Sequence, residues 1–167
     1  MLYAAVCLIA IYTLRSIIVN SRRNKYAVLI HEAGHAVITH LLGKEFCEIR
    51  VSNDRLTGEV EGCEVENPTA EDHKDIIRIY MAGTVACDVA FGNPYKDKGF
   101  DDMTSIETLL LSHPEIYAGV SKEQFLYTLR HETYQLVKTN FDMVKTLANS
   151  LKTKNVLSYA EASNIFS

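Results

Sequence analysis

The sequence predicts a mostly helical α+β fold with a small β-sheet or hairpin, preceded by an N-terminal hydrophobic helix. Apolar residues recur at steps of three and four along several long segments, which is the spacing of one helix face. Strand-like alternation of apolar and polar residues is confined to short stretches beginning at residue 45. The prolines fall at breaks between these segments, where helices commonly end: Pro68, Pro94 and Pro114.

Length and composition indicate one globular domain, residues 21–167, behind an N-terminal segment, residues 1–20. The chain has 167 residues, of which 47% are hydrophobic and 23% charged, so a proper core can form. Its formal net charge of -4 argues against nucleic acid as a partner. The cysteines form no Cys-x-x-Cys pair, which predicts reduced thiols and argues against a thiolate metal site: Cys7, Cys47, Cys63 and Cys87.

Residues 1–20 are predicted to anchor the protein in a membrane. Their charge-free part, residues 1–14, is shorter than the ~20 apolar residues that span a bilayer. Extension to Val19 includes only Arg15, which is near enough to the end to snorkel. The basic residues that follow place the domain on the cytoplasmic side of a single-pass anchor: Arg22, Arg23 and Lys25. The alternative is a helix that packs on this domain or on a partner.

The domain begins with a predicted buried helix over residues 26–42, with Gly43 at its C-terminal end. Residues 45–51 and 56–65 are predicted strands, and the turn residues between them favour a hairpin. An edge strand of this kind can hold an extended peptide by strand addition. Plain scaffolding is the alternative function of the hairpin.

The second half of the domain is predicted to be helical. Thr69 and Asp72 resemble a capping arrangement at the start of a helix that ends at residue 91. A short helical pattern covers residues 103–111, and one long amphipathic helix is predicted over residues 122–149, after a capping box that begins at Ser121. A last short helix is capped by Ser158.

The first of these helices carries the pattern His31-Glu32-Ala33-Gly34-His35. Side chains four residues apart project from the same face of a helix, so two imidazoles converge on one point. This is the arrangement that Zn²⁺ takes from two of its ligands. Glu32 is then placed to act as general base on a metal-bound water. The sequence therefore predicts zinc as cofactor, with His31 and His35 as ligands.

A catalytic zinc usually takes a third protein ligand, and the residues alone leave its identity open. His40 is nine residues past His31, which puts it on the opposite side of the helix. The elongated pattern with a third histidine fails because Ile38 and Leu41 occupy the required positions. The remaining histidines are expected to be solvated, which leaves an Asp or a Glu as the third ligand: His73, His113 and His131.

The chain resembles the peptidase domain of the membrane-bound AAA zinc proteases of the FtsH type, from about residue 26 to residue 166. Residues 31–36 (His-Glu-Ala-Gly-His-Ala) match the zinc motif of that family. Residues 81–92 are similar to the family's segment around Gly-Gly-Arg-Ala-Ala-Glu and a following Phe-Gly. Residues 99–103 (Gly-Phe-Asp-Asp-Met) stand where the family has Gly-Ala-Ser-Asn-Asp. The resemblance implies that Asp102 is the third zinc ligand, with Asp101 at the family's Asn.

The chain also departs from that family. Its 167 residues leave no room for an AAA ATPase module, so the expected activity is independent of ATP. Thr84 and Cys87 replace the family's Arg and first Glu in the second block. These two positions are expected to be structural or to lie behind the ligands, and to affect efficiency and assembly more than zinc binding.

We therefore expect a membrane-anchored, ATP-independent zinc metalloendopeptidase that hydrolyses peptide bonds in flexible or unfolded protein segments. Zn²⁺ would be held by His31, His35 and Asp102, with Glu32 as general base. The alternative is a non-catalytic membrane scaffold or adaptor that keeps the peptidase fold and binds clients or a full-length protease. The expected partners are a protein or peptide substrate and the membrane; formation of a homo-oligomer stays open.

Overall fold

Helices make up most of the described chain, and three short strands form one sheet. The computed structural model describes residues 25–54, 57–62, 67–92 and 100–166. The elements are α1 (25–41), β1 (Phe46–Val51), β2 (Gly58–Gly62), α2 (Ala70–Phe91), α3 (Phe100–Ser112), the 3₁₀ helix η1 (Pro114–Tyr117), α4 (Lys122–Thr139), α5 (Phe141–Thr153), β3 (Val156–Ser158) and α6 (Tyr159–Phe166). The prediction of a mostly helical fold with a small sheet is confirmed.

The predicted membrane anchor, residues 1–20, lies outside the described residues. Within the described ranges, no helix combines the length and the apolar character that are needed to cross a bilayer.

The close crossing of α1 and α2 is the contact that positions the site. Gly34 of α1 lies directly against α2, and a Cβ at this position would be 2.6 Å from the Cβ of Ala86 and 2.7 Å from the carbonyl oxygen of Ala82. A glycine in the middle of a helix costs about 1 kcal/mol relative to alanine. Here it allows the two backbones to approach, because any side chain would separate them.

The sheet has the strand order β2-β1-β3, and β1 pairs antiparallel with both neighbours. A register shift between Phe46 and Glu48 marks a bulge in β1. Because of this bulge, Phe46, Ile49 and Val51 all point into the core although they do not alternate strictly. The predicted hairpin is confirmed. The third strand, β3, was not predicted.

The predicted ends of several helices agree with the structure. Thr69 and Asp72 form a reciprocal capping box at the start of α2, and the hydroxyl of Ser158 accepts from the backbone N–H of Glu161. Gly43, with φ of 69°, terminates α1. The backbone N–H groups of Gly43 and Lys44 donate to the carbonyls of His40 and Thr39, which satisfies two otherwise unpaired carbonyls at the end of α1.

The prediction of one long helix over residues 122–149 is wrong, because two helices meet at Asn140. α4 ends at Thr139, and α5 begins at Phe141. Asn140 has φ of -107° and ψ of 22°, and its side-chain amide donates to the carbonyl of Leu136. Asn competes in this way with regular helix hydrogen bonding, which apolar periodicity does not reveal.

One hydrophobic core joins these elements. The largest fully buried side chains come from α1, β1, α2, α3 and α5, so the sheet and the helices share them: Leu29, Ile30, Val37, Ile38, Phe46, Ile49, Ile77, Val85, Ile106, Leu110, Leu147 and Leu151. The helix α1 is buried nearly all round, as predicted, and its polar groups therefore need partners within the protein.

Candidate metal centre

His31 and His35 lie side by side on α1, one turn apart. Their Nε2 atoms are 2.9 Å apart, and the ring centroids are 4.6 Å apart in an edge-to-face arrangement. Both rings therefore point the same nitrogen toward one point, as the helical spacing predicts.

Asp102 brings a carboxylate to the same point from the first turn of α3. Its Oδ2 atom is 3.1 Å from Nε2 of His31 and 3.5 Å from Nε2 of His35. Asp101, the neighbouring carboxylate, is exposed. The structure thus brings together the three residues that were predicted as metal ligands, including the one that the residues alone did not identify.

Groups on α2 orient the two imidazoles. His35 donates from Nδ1 to the backbone carbonyl of Ile79 at 2.6 Å, so its other ring nitrogen, Nε2, faces the cluster. Gly83 lies against the Nε2 edges of both rings. A Cβ at Gly83 would be 2.4 Å from Nε2 of His35 and 2.6 Å from Nε2 of His31. Because Gly83 has no side chain, the α2 backbone leaves room for both Nε2 atoms at this point.

The arrangement fits a tetrahedral metal ion. With Zn–N and Zn–O bonds of about 2.0–2.1 Å, neighbouring ligand atoms of a zinc tetrahedron lie about 3.3 Å apart. The three distances between Asp102, His31 and His35 bracket that value. Asp102 Oδ2 is also a buried atom that accepts no well-aligned hydrogen bond, so it is available to a cation. Two imidazoles and one carboxylate could hold a metal here.

The cluster remains reachable from solvent. The side chains of His31 and Asp102 keep 15% and 18% of their surface exposed, while His35 keeps 8%. Three protein ligands with one open side are characteristic of catalytic zinc sites, whereas structural sites are closed by a fourth protein ligand.

Glu32 lies next to the cluster, buried against β2. Its carboxyl group packs on Gly58, where a Cβ would be 2.5 Å from Cγ and 2.8 Å from Oε1 of Glu32. Burial raises the pKa of Glu32 to about 7, although the nearby His35 partly opposes this rise. A carboxyl group with that pKa can both accept and release a proton near neutral pH.

The cluster residues shift one another's pKa values in the direction expected for charge complementarity. Burial alone would lower the pKa of His35, but the hydrogen-bonding and charge interactions with Asp102 outweigh it, and the pKa is raised. Burial alone would likewise raise the pKa of Asp102, yet His31 and His35 hold the pKa of this carboxyl below its usual range. Asp102 is therefore a carboxylate at neutral pH and can serve as an anionic ligand.

The predicted positions of the other histidines agree with the structure only in part. His40 is on the opposite side of α1, as predicted, where its Nδ1 is 3.1 Å from the hydroxyl of Tyr159. His131 is exposed, as predicted. The prediction that His73 is solvated is wrong, and the side chain of His113 is solvated only in part. His73 is 6% exposed, and its ring lies 3.9 Å from that of His113, which is half-buried.

Cys87 and Thr84, the two positions that depart from the FtsH-type pattern, both donate hydrogen bonds to helix carbonyls. The buried thiol of Cys87 lies 3.4 Å from the carbonyl oxygen of Ala27 and donates to it, which links α2 to α1. The hydroxyl of Thr84 donates to the carbonyl of Met81 within α2. Both contacts agree with the expectation of structural roles.

Three groups that shape the site were not predicted as part of it: Gly83, Gly58 and the carbonyl of Ile79. The two glycines left a signal, since a glycine within a helix or strand pattern often marks the close approach of another group. The carbonyl of Ile79 left none, because every residue carries one.

Comparison with protein-family models and with curated proteins gives no match to this chain.

Proposed function

We propose that the protein is a zinc metalloendopeptidase that hydrolyses peptide bonds in flexible or unfolded protein segments. The observation that carries the proposal is the convergence of His31, His35 and Asp102 on one point, with the buried carboxyl group of Glu32 beside it. The resemblance of residues 31–36 and 99–103 to the FtsH-type zinc proteases supports the same conclusion.

The donor set favours zinc among the divalent metals. Two neutral imidazoles suit Zn²⁺ better than Mg²⁺ or Ca²⁺, which prefer oxygen ligands throughout. A single carboxylate completes a set of three and leaves a fourth position for water or substrate. Zinc held there supplies Lewis acidity, which polarises a carbonyl group and lowers the pKa of water.

Glu32 would carry the proton in the reaction. Its carboxylate accepts a proton from the water whose oxygen attacks the scissile carbonyl carbon. When the C–N bond breaks, the same carboxyl group delivers that proton to the departing amine nitrogen, so the products are a carboxylic acid and an amine. The pKa of about 7 favours this exchange near neutral pH.

The position of β2 supports an extended substrate. In the described sheet, β2 pairs with β1 alone and is an edge strand, and its Gly58 contacts Glu32. A peptide added alongside β2 would therefore run past the proposed base, and only a segment without its own fold can pair in this way. Hydrolysis at such a centre consumes water and no nucleotide, so we propose that it proceeds without ATP.

The substitution Glu32→Gln tests the mechanism. We expect it to retain zinc, because Glu32 is not a ligand, and to lower the rate of hydrolysis by about 10²–10⁴-fold, the usual contribution of a general base. The measurement is cleavage of a fluorescently labelled unstructured protein without ATP, together with the zinc content of the purified protein.

Glu45→Gln is the matched control, because it removes one exposed carboxylate outside the site. It should cleave at the wild-type rate. Equal cleavage by Glu32→Gln and the wild type would contradict the mechanism. A wild-type protein that binds zinc but shows no chelator-sensitive cleavage would instead favour the scaffold or adaptor function.

A further inference from the structure

A second cluster of side chains that could hold a metal ion lies at the N-terminal end of α2. His73 is in the first turn of α2, His113 directly precedes η1, and Glu115 lies within η1. One ligand atom from each of the three residues lies within 4.8 Å of the others. His73 and Gly83 are ten residues apart on α2, so the two clusters are separated by about 15 Å along the helix.

His73 supplies an observation that points to a ligand. The residue is 6% exposed, and its Nδ1 atom is buried with no hydrogen-bond partner. Buried polar atoms are almost always satisfied, and an unsatisfied one suggests a bound water or ion. A metal ion coordinated by His73 would provide the missing partner.

His113 and Glu115 complete a donor set beside that ring. The His113 ring lies 3.9 Å from the His73 ring with a tilt of 30° between the planes, and its Nδ1 is 3.0 Å from Oε1 of Glu115. The side chains of His113 and Glu115 are 37% and 62% exposed, so they can adjust around an entering ion. Two imidazoles and one carboxylate are the donor classes that bind zinc and its neighbours in the first transition row.

From this geometry we propose that His73, His113 and Glu115 form a second site for a divalent transition metal such as Zn²⁺. A metal ion held there would join the start of α2 to the connection between α3 and α4. It is independent of the proposed peptidase activity.

Calorimetric titration of the metal-stripped full chain with Zn²⁺ tests the proposal. The wild type should bind two equivalents, and His113→Asn should bind one. Glu115→Gln, a substitution at a mostly exposed side chain, should weaken the second binding event by at least about tenfold. His131→Asn is the matched control, because His131 is exposed and belongs to neither cluster, and it should bind two equivalents.

The first site can be removed to isolate the second. His31→Asn should bind one equivalent, and its combination with His113→Asn should bind none. A His113→Asn protein that binds as many equivalents as the wild type would overturn the proposal, as would a His31→Asn protein that binds no zinc. In either case His73 and His113 would be a stacked pair that binds no metal. Circular dichroism of each variant confirms that it is folded before titration.

Discussion

The two faces of α1 carry the same type of residue in two different roles. On one face, His35 donates to the carbonyl of Ile79 and presents Nε2 to His31 and Asp102. On the other face, His40 contacts the hydroxyl of Tyr159, and its ring stacks on Phe166. Both faces are largely covered by protein, so burial does not distinguish them. What distinguishes them is the opposing element: a glycine and a carboxylate on one side, aromatic side chains on the other.

Gly83→Ala should have the largest effect on the face of α1 that carries His31 and His35, which we call the metal face. The added Cβ would lie 2.4–2.6 Å from atoms of both imidazoles, so the rings must move away from their common point. We expect zinc affinity at this site to fall by about 100-fold, with loss of hydrolysis. α2 itself should not suffer, because alanine favours a helix by about 1 kcal/mol over glycine.

The measurement is competition for zinc with a fluorescent chelator, alongside the helical circular dichroism signal. A variant with lower affinity and unchanged helicity would show that Gly83 acts on the rings. Unchanged zinc affinity would mean that the positions of the two rings do not depend on the absence of a side chain at Gly83.

Gly58→Ala should affect the base without affecting the ligands. Its Cβ would lie 2.5 Å from Cγ of Glu32, so the carboxyl group must shift. A displacement of about 1 Å at a reacting group can lower the rate by about 100-fold, and we expect a loss of that order in kcat with zinc retained. Gly62→Ala is the matched control on the same strand, since a Cβ there meets nothing within 4 Å.

Steady-state cleavage and zinc content of the two glycine variants give the comparison. Gly62→Ala should keep the wild-type rate. Equal losses in Gly58→Ala and Gly62→Ala would assign the effect to β2 as a strand, and would remove the contact with Glu32 as its cause.

The parts of the site that lie on one helix could be predicted from the sequence. The spacing of His31 and His35 fixes their common face, and the same helical geometry excludes His40. Asp102 is 67 residues beyond His35, on another helix, and no periodicity connects the two. Only the family resemblance pointed to it, because the meeting of distant segments depends on tertiary packing.

The same dependence on tertiary packing explains the predictions that differ from the structure. His73 and His113 are 40 residues apart and looked isolated along the chain, yet the packing of η1 on α2 brings their rings together. β3 has three residues, too few for an alternating pattern, and it exists because β1 offers a free edge. Predictions that depend on adjacent residues agree with the structure. The capping box at Thr69 and the terminal Gly43 are of this kind, and both are confirmed.

His40→Ala should have the smallest effect and should leave the metal face intact. It removes the contact with Tyr159 and the stacking on Phe166, whose centroid lies 4.4 Å from that of His40. Each contact contributes about 0.5–1.5 kcal/mol, so we expect the free energy of unfolding to fall by about 1–2 kcal/mol. Zinc content should equal that of the wild type.

Urea denaturation of His40→Ala beside His131→Ala measures this loss. His131 is exposed, and its removal should change the free energy of unfolding by less than about 0.5 kcal/mol. If His40→Ala lost zinc while keeping its stability, His40 would belong to the metal face after all. If it lost stability alone, α1 would serve two separate roles, because α6 contacts the face that carries His40 while α2 and α3 contact the candidate metal centre on the opposite face.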